Sequence, residues 1–234
     1  MIDLDFEMET IMRVTQIQDF LLKAGAKGIV FGASGGKDSA LVGILCRMAH
    51  RNTLGVIMPC SSSLNYTKDR DDAILVAEQF GIKHIEVDLT PTKSSLVSAI
   101  GMELSQQADI NIAPRLRMAT LYAIAANRGS VVAGTSNRSE IYMGYFTKWG
   151  DGASDFNPIF DLTATEVHAF LEYLEVDERI YKKAPSASLF EGQTDEADMG
   201  ISYTEIDEFL LTSTMGDNYH IIEKYHNASR HKRF

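Results

Sequence analysis

The sequence predicts a doubly wound α/β fold, in which helices cover both faces of a parallel sheet of about five strands. Three observations support this prediction. Short apolar runs alternate along the chain with segments of helical periodicity. A glycine-rich turn follows the first apolar run immediately and precedes a helical segment. The 234 residues are 45% hydrophobic and 23% charged, which is typical of one globular domain with one core.

The chain up to Thr135 contains the alternating elements. It opens with a predicted amphipathic helix over residues 6–24, whose apolar positions are Ile11, Val14, Ile17, Phe20 and Leu21. Strands are predicted over residues 27–32, 53–58, 83–89 and 130–134. Helices are predicted between them over residues 38–50, 67–80 and 114–127. Because helices separate the strands, we expect the strands to run parallel.

Beyond Thr135 the composition changes. Residues 142–160 are rich in glycine, aspartate and aromatic residues, and residues 186–200 have the composition of a loop. Long polar loops in a compact domain often act as lids, and this is the prediction for residues 147–155 and 188–200. Further helices are predicted over residues 163–175 and 203–211, and from about residue 217 into the basic end. We therefore expect a single domain, residues 1–234, with a C-terminal helical extension.

Composition and charge exclude several classes of protein. The chain has no apolar run of about 18 residues, and its first ten residues are acidic, so neither a membrane span nor a signal peptide is predicted. A cytoplasmic location follows as the expectation. The net charge of −10 argues against a nucleic-acid surface, which needs many basic side chains. Cys46 and Cys60 are isolated and are predicted to be packing residues rather than a disulfide or zinc site.

Residues 34–39, with the sequence SGGKDS, carry the strongest chemical signal. They lie directly after a predicted strand and before a predicted helix, where backbone N–H groups and the helix dipole favour a phosphate. The spacing is neither that of a Walker A loop nor that of a dinucleotide-binding G-x-G-x-x-G turn. An aspartate beside a triphosphate would repel it without an intervening cation, so Asp38 is predicted to bind Mg²⁺. The alternative is that Asp38 only caps the helix.

The SGG-x-DS pattern resembles the pyrophosphate-binding loop of the ATP pyrophosphatase superfamily, whose members cleave ATP between the α- and β-phosphates. The resemblance implies a Rossmann-like, adenine nucleotide alpha hydrolase-like sheet and ATP as a co-substrate. It assigns eight residues of the first turn to ATP binding: Gly32, Ala33, Ser34, Gly35, Gly36, Lys37, Asp38 and Ser39. The loop alone does not identify the group that ATP activates, because the superfamily also includes GMP synthetases and tRNA-modifying enzymes.

Four later segments resemble ammonia-dependent NAD synthetases in the same order: residues 111–118, 134–140, 145–155 and 192–203. This resemblance implies amidation of deamido-NAD to NAD through an acyl-adenylate, with ammonia consumed and AMP and pyrophosphate released. It also implies Mg²⁺ and a homodimer. One alternative is another adenylating enzyme of the superfamily, either tRNA-modifying or similar to GMP synthetase. A second is a nucleotide-binding sensor without catalytic activity.

The resemblance places three further residues beside ATP. Glu140, one helical turn past Thr135, is expected to give the second carboxylate to Mg²⁺, although a solvated helix glutamate is the alternative. Thr135 follows a strand and is expected to contact ATP, although it could also be a helix N-cap. Ser186 stands where the family usually has threonine, and it keeps a hydroxyl for ATP.

By resemblance, the residues that contact deamido-NAD are Arg115, Tyr145, Lys148, Asp155, His231 and Lys232. Arg117 lies two residues beyond Arg115 and is expected to pair with a surface acid instead. Tyr145 and Phe146 are expected either to stack on the pyridine ring or to pack in the core. The predicted catalytic residues are Asp38, Glu140, Lys148 and Asp151, the last as acceptor of a proton from ammonium.

One departure from the family concerns ATP. The family commonly has a lysine that contacts ATP where this chain has Ala164. Either ATP binds more weakly, or a neighbour such as Lys182 or Lys183 supplies the charge. The sequence shows no glutaminase domain and neither cysteine lies in a nucleophile motif, so free ammonia, or ammonia from a separate protein, is the expected nitrogen source.

Overall fold

The computed structural model describes residues 4–60, 66–183 and 195–233. It contains a parallel sheet whose strands are β1 (Ile29–Gly32), β2 (Thr53–Ile57), β3 (Lys83–Glu86) and β4 (Val131–Ala133). The strand order is β3-β2-β1-β4. The predicted parallel sheet is therefore confirmed, with four strands in the described part of the chain rather than about five.

A fifth strand is reduced to a single bridge at the edge of β4, between Ala133 and Phe156. Gly134 N donates to Phe156 O at 2.8 Å, and Asp155 N donates to Val132 O at 2.9 Å. The pairing ends there because the chain turns at the next residue, where the Asn157 side chain accepts from the backbone N of Ile159 at 3.1 Å. An asparagine that bonds to the backbone two residues further on forms a turn and not a strand.

The helices connect and cover these strands. They are α1 (Phe6–Ala24), α2 (Lys37–Ala49), α3 (Tyr66–Gln79), α4 (Thr90–Ile100), α5 (Gln106–Ile110), α6 (Ile112–Arg128), α7 (Arg138–Met143), α8 (Ala164–Tyr173), α9 (Glu178–Tyr181), α10 (Asp195–Met199), α11 (Tyr203–Thr212) and α12 (Tyr219–Ala228), with a final 3₁₀ turn at Arg230–Lys232. The predicted helices are present within a few residues. Helix α4 was not predicted, and the reason is physical: it buries none of its residues, so it has no apolar stripe.

Strand β1 shows why the predicted strands are apolar throughout. Its side chains alternate between the two faces of the sheet. Ile29 and Phe31 pack in a cluster with α1, α2 and α8, whereas Val30 packs in a second cluster with β2, β4 and α6. All three side chains are almost fully buried. The sheet is thus covered on both faces, as a doubly wound fold requires.

The C-terminal helices form a third apolar cluster against α7, around Met143, Tyr203, Ile206 and Ile222. Helices α11 and α12 both contact α7, the short helix that carries Glu140. Among the described residues, no helix combines the length and apolar character needed to cross a membrane.

Candidate active site

The topology of the sheet places a crevice between β1 and β4. From β1 the chain continues to β2 and then β3 on one side of β1, and it later enters β4 on the opposite side of β1. The connections therefore diverge at the carboxyl ends of β1 and β4. Ligands of open parallel sheets bind at this kind of switch point. A cavity of about 1420 Å³ opens there, and the turns that follow both strands line it.

The turn after β1 has the geometry of an anion site. Gly35 has φ +77°, and a Cβ atom there would lie 2.1 Å from the backbone oxygen of Asp69. The Ser39 hydroxyl closes the turn by donating to Gly36 O at 3.0 Å. Gly36 is the N-cap of α2 and makes no side-chain cap, so N–H groups of the first turn are available to a phosphate. We call residues 34–39 the phosphate loop.

Asp38 and Glu140 are joined through one asparagine. Asn137 Nδ2 donates to Asp38 Oδ1 at 2.9 Å. The Asn137 side-chain oxygen accepts from Glu140 N at 3.0 Å, and Glu140 Oε2 accepts from Asn137 N at 3.2 Å. Since Gly36 is the N-cap of α2, the alternative that Asp38 serves only as the helix cap is wrong. Thr135 is not a cap either, because Asn137 caps α7; Thr135 lines the cavity.

The charge of this pair fits a divalent cation. Burial raises the pKa of Asp38. Burial, and next the negative charge of Asp38, raise the pKa of Glu140 well above its usual value. The described residues contain no group of three or more typical ligating side chains. Two carboxylates with the remaining ligands from substrate phosphates and water are the usual arrangement for Mg²⁺.

Asn137 was missed by the sequence-based prediction, although a signal for it exists. The segment Asn137-Arg-Ser-Glu140 has the spacing of a capping box, and the structure forms both of its hydrogen bonds. The cap fixes the backbone of Glu140, and the Asn137 amide fixes the Asp38 carboxylate. One residue therefore positions both candidate metal ligands.

Of the two lysines considered as substitutes at the ATP site, Lys183 is the one at the phosphate loop. Its Nζ lies 3.3 Å from Gly35 O, 2.7 Å from Asp69 Oδ1 and 2.8 Å from Asp72 Oδ2. Burial lowers its pKa, but the hydrogen bonds to both carboxylates outweigh this and leave the pKa raised. The Lys182 side chain is 59% exposed and pairs with Glu178 at 2.7 Å. Lys183, like Ala164, lines the cavity.

Replacing Lys183 by methionine should therefore weaken ATP binding. The substitution removes the charge-assisted hydrogen bonds by which Lys183 connects Gly35 of the phosphate loop to Asp69. One such bond contributes about 1.5–3 kcal/mol, so we expect KM for ATP to rise roughly tenfold or more. Steady-state kinetics with ATP as the varied substrate measure this. Lys182→Met is the matched control and should leave KM for ATP unchanged. Equal KM values for the two variants would show that Lys183 does not serve the ATP site.

The expected substrate residues divide into two groups. Tyr145, Lys232 and the proposed proton acceptor Asp151 line the cavity. Arg115, Lys148, Asp155 and His231 are absent from its wall. Of these, Asp155 accepts from Val132 N at 2.7 Å and holds the edge of the sheet.

Three of the residues outside the cavity wall form a connected group. Arg115 Nε donates to Lys148 O at 3.3 Å, and Lys148 Nζ donates to His231 O at 2.5 Å. Lys232 Nζ donates to Gly144 O at 2.8 Å and to Phe146 O at 2.7 Å. The C-terminal turn is thereby fastened to the loop that follows α7.

The side chains of Tyr145 and Phe146 both line the cavity. The Tyr145 hydroxyl donates to Asp198 Oδ2 at 3.2 Å. Lys232 Nζ lies 5.5 Å from the centre of the Phe146 ring. Tyr145 also packs against the C-terminal apolar cluster around Met143, so it contributes both to the cavity wall and to a core. Ser186 and most of the predicted lid over residues 188–200 lie outside the described residues, apart from α10 and Gly200.

Arg117 does not pair with any acid among residues 4–60, 66–183 and 195–233, contrary to the sequence-based expectation. Its Nε donates to Met58 O at 3.0 Å, and the residue lines the cavity. Two residues along a helix correspond to a turn of about 200°. Arg115 is exposed, so Arg117 faces inward.

Comparison with known proteins places this geometry in context. The family model described as NAD synthase matches residues 9–233. An NH(3)-dependent NAD(+) synthetase of Carboxydothermus hydrogenoformans is 43% identical over 235 residues, covering 98% of this chain and 96% of that protein.

Two solved structures are similar over nearly the whole chain. An NMN synthetase from Francisella tularensis has a TM-score of 0.95 at 36% identity, covering 99% of this chain and 97% of the other. An NH3-dependent NAD synthetase from Campylobacter jejuni has a TM-score of 0.80 at 28% identity, covering 98% and 96%. The region that matches the family model, residues 9–233, contains the phosphate loop, Asp38, Glu140 and the C-terminal turn.

Proposed function

The chain belongs to the NAD synthase family, and we propose that it amidates deamido-NAD to NAD with ATP and ammonia, releasing AMP and pyrophosphate. The observation that carries this proposal is the Asp38–Asn137–Glu140 cluster beside the phosphate loop. Pockets for drug-sized ligands measure about 300–1,000 Å³. A cavity of about 1420 Å³ is larger, as a site for two nucleotides must be.

In the first step, a carboxylate oxygen of the nicotinate attacks the α-phosphorus of ATP and pyrophosphate leaves. The chain contributes positioning and positive charge rather than a covalent intermediate. The first N–H groups of α2 are available to the leaving pyrophosphate, on which negative charge builds. Lys37 lines the same cavity, and Lys183 donates to Gly35 O in the phosphate loop. A Mg²⁺ ion held by Asp38 and Glu140 would supply further positive charge to the same oxygens.

In the second step, ammonia attacks the carbonyl carbon of the acyl-adenylate and AMP leaves with the former carboxylate oxygen. Ammonia reacts only when neutral, so a proton acceptor close to the site is useful. Asp151 lines the cavity, and burial raises its pKa. Its Oδ1 accepts from Thr147 N at 3.0 Å. This hydrogen bond, within the loop that follows α7, holds the carboxylate in place. We assign it the role of accepting the proton from ammonium.

Asp151→Asn should therefore make turnover depend more steeply on pH and ammonium concentration. Without the acceptor, neutral ammonia must come from solution, so KM for total ammonium should rise roughly tenfold or more as the pH falls below 8. Initial rates at several pH values measure this. An unchanged ammonium dependence at every pH would remove Asp151 from the mechanism.

The assay of the purified protein with deamido-NAD, ATP, Mg²⁺ and ammonium tests the proposed function. We expect NAD and AMP in equal amounts and neither product when ATP is omitted. ATP binding without NAD formation would favour another acceptor within the pyrophosphatase superfamily, such as the substrate of a tRNA-modifying or GMP-synthetase-like enzyme.

Nicotinate mononucleotide is a second candidate substrate for amidation, since a structure with a TM-score of 0.95 is an NMN synthetase. The chemistry is the same, because both acids present a nicotinate carboxylate. The kcat/KM values for deamido-NAD and nicotinate mononucleotide decide between them. We expect deamido-NAD to be preferred, and a preference for the mononucleotide would reassign the chain to NMN synthesis.

We also propose that the active form is a homodimer. Residues assigned to deamido-NAD by resemblance lie outside the cavity wall of the single chain, and a second subunit beside them would extend the site: they are Arg115, Lys148, Asp155 and His231. Sedimentation at assay concentration should give twice the mass of 25.9 kDa. A monomer with full turnover would contradict the proposal.

A further inference from the structure

Arg117 lies in the cavity wall, and its expected pairing with a surface acid is not found among the described residues. It lies on α6, close to the end of β2, where Met58 and Cys60 also line the cavity. The carboxylates whose charge acts on its guanidinium are Asp151, in the loop after α7, and Asp69, which packs against the phosphate loop. Arg117 therefore lies between the region of the ATP phosphates and the region of ammonia chemistry.

The guanidinium group lacks a counter-ion within the described part of the chain. Nε donates to Met58 O at 3.0 Å. No carboxylate oxygen of the described residues lies within 4.0 Å of the guanidinium nitrogens. Burial lowers the pKa of Arg117, which reflects the free-energy cost of a desolvated cation. A buried charge is normally paired, so a guanidinium without an acid is suited to bind an anionic ligand.

The remaining donors of the group decide which anion fits. With Nε engaged, the two terminal nitrogens still carry four N–H donors in a planar fork, which matches two oxygens of a phosphate or carboxylate. Pyrophosphate has its own donors, which are the backbone N–H groups in the first turn of α2. The α-phosphoryl group is the anion that lies between pyrophosphate and the nicotinate carboxylate during the reaction.

We propose that Arg117 is a catalytic residue that binds the non-bridging oxygens of the α-phosphoryl group, both in ATP and in the acyl-adenylate. The proposal rests on the proposed function of the site. Its contribution is charge stabilisation at the phosphorus that is attacked, where negative charge increases in the transition state.

The test uses Arg117→Met and Arg117→Lys, with Arg128→Met as control. Arg128 lies at the other end of α6 and donates to Asn52 at 2.8 Å. Loss of one preorganised donor at a developing charge costs about 10²–10³ in kcat. We expect such a loss in Arg117→Met, a smaller loss in Arg117→Lys, and an unchanged rate in Arg128→Met. The methionine variant should lower ATP–pyrophosphate exchange equally, because exchange reports adenylate formation alone.

Calorimetric titration with AMP and with pyrophosphate measures binding without turnover. It distinguishes a direct contact to the α-phosphate from a structural role of Arg117, and it does not depend on the proposed function. AMP binding should weaken roughly tenfold or more in Arg117→Met, because AMP carries the α-phosphate, whereas pyrophosphate binding should stay unchanged. If the methionine variant does not fold, the same comparison applies to Arg117→Lys. Wild-type AMP affinity, or an equal loss of AMP and pyrophosphate binding, would overturn the proposal. Wild-type NAD synthesis by Arg117→Met would overturn it as well.

Discussion

Asp38→Asn should reduce amide formation by about 10³-fold or more while making the protein more resistant to unfolding. The activity falls because the substitution removes a charged oxygen ligand of the proposed Mg²⁺ site, and a factor of 10³ corresponds to roughly 4 kcal/mol of transition-state stabilisation. The shape of the side chain and its hydrogen bond are kept, since the oxygen of the new amide can still accept from Asn137 Nδ2, which is 2.9 Å from Asp38 Oδ1. The effect therefore reports on charge and not on packing.

The stability change follows from the pKa shifts. The raised pKa values of Asp38 and Glu140 mean that the folded chain holds protons on this pair more tightly than the unfolded chain does. This contribution to stability is present at low pH and is lost as the pH rises through the raised pKa values. Above the raised pKa values the charged pair is destabilising, so a neutral amide in place of the Asp38 carboxylate should raise Tm at such pH in the absence of ATP and Mg²⁺.

Turnover assays and thermal melts of the same preparation measure both effects. Glu178→Gln, an amide replacement of a carboxylate that is 71% exposed, is the matched control and should change neither quantity. An active Asp38→Asn enzyme would refute the assignment of the metal ligand. A lower Tm would refute the electrostatic account of the pair.

Gly35→Ala should have the second large effect, the loss of measurable ATP binding. A Cβ atom at Gly35 would lie 2.1 Å from Asp69 O, and that oxygen belongs to the backbone of α3 and cannot rotate away. The left-handed conformation at φ +77° adds about 1–2 kcal/mol for a residue with a side chain. We therefore expect the phosphate loop to change shape and ATP affinity to fall by roughly 100-fold or more.

Gly81→Ala separates the steric clash of a new Cβ atom from the free-energy cost of the left-handed backbone conformation. Gly81 has φ +62°, and a Cβ atom there meets nothing within 4 Å. The Gly81→Ala substitution should lower the free energy of unfolding by about 1 kcal/mol and leave ATP affinity unchanged. Calorimetric titration with ATP measures the affinity, and ATP binding by Gly35→Ala with the affinity of Gly81→Ala would show that the close approach at the loop is not needed.

The sequence predicts the sheet and the position of the turn between β1 and α2 well, because both depend on local patterns. Strand β1 is buried on both faces and is therefore an unbroken apolar run, and its SGG-x-DS continuation is contiguous in the chain. The same reasoning fails for α4, which buries no residue and has no periodic signal to detect.

The details of the site depend on contacts between distant segments, which no local pattern contains. Lys183 reaches Asp69 across 114 positions of the chain, and Asn137 reaches Asp38 across 99. The inward direction of Arg117 depends on how α6 is rotated against β2, and the carbonyl of Met58 that receives it carries no sequence signal. The expected surface pairing of Arg117, assigned from residue type and position alone, was therefore wrong.

The most direct test of the account is the fate of the carboxylate oxygens. Deamido-NAD labelled with ¹⁸O in its nicotinate carboxylate is converted with ATP, Mg²⁺ and ammonium, and AMP and NAD are analysed by mass spectrometry. Attack on the α-phosphorus predicts that each AMP carries a single ¹⁸O atom and that the amide of NAD retains the other. AMP without label, or ADP in its place, would contradict the acyl-adenylate and with it the roles assigned to the phosphate loop and Arg117.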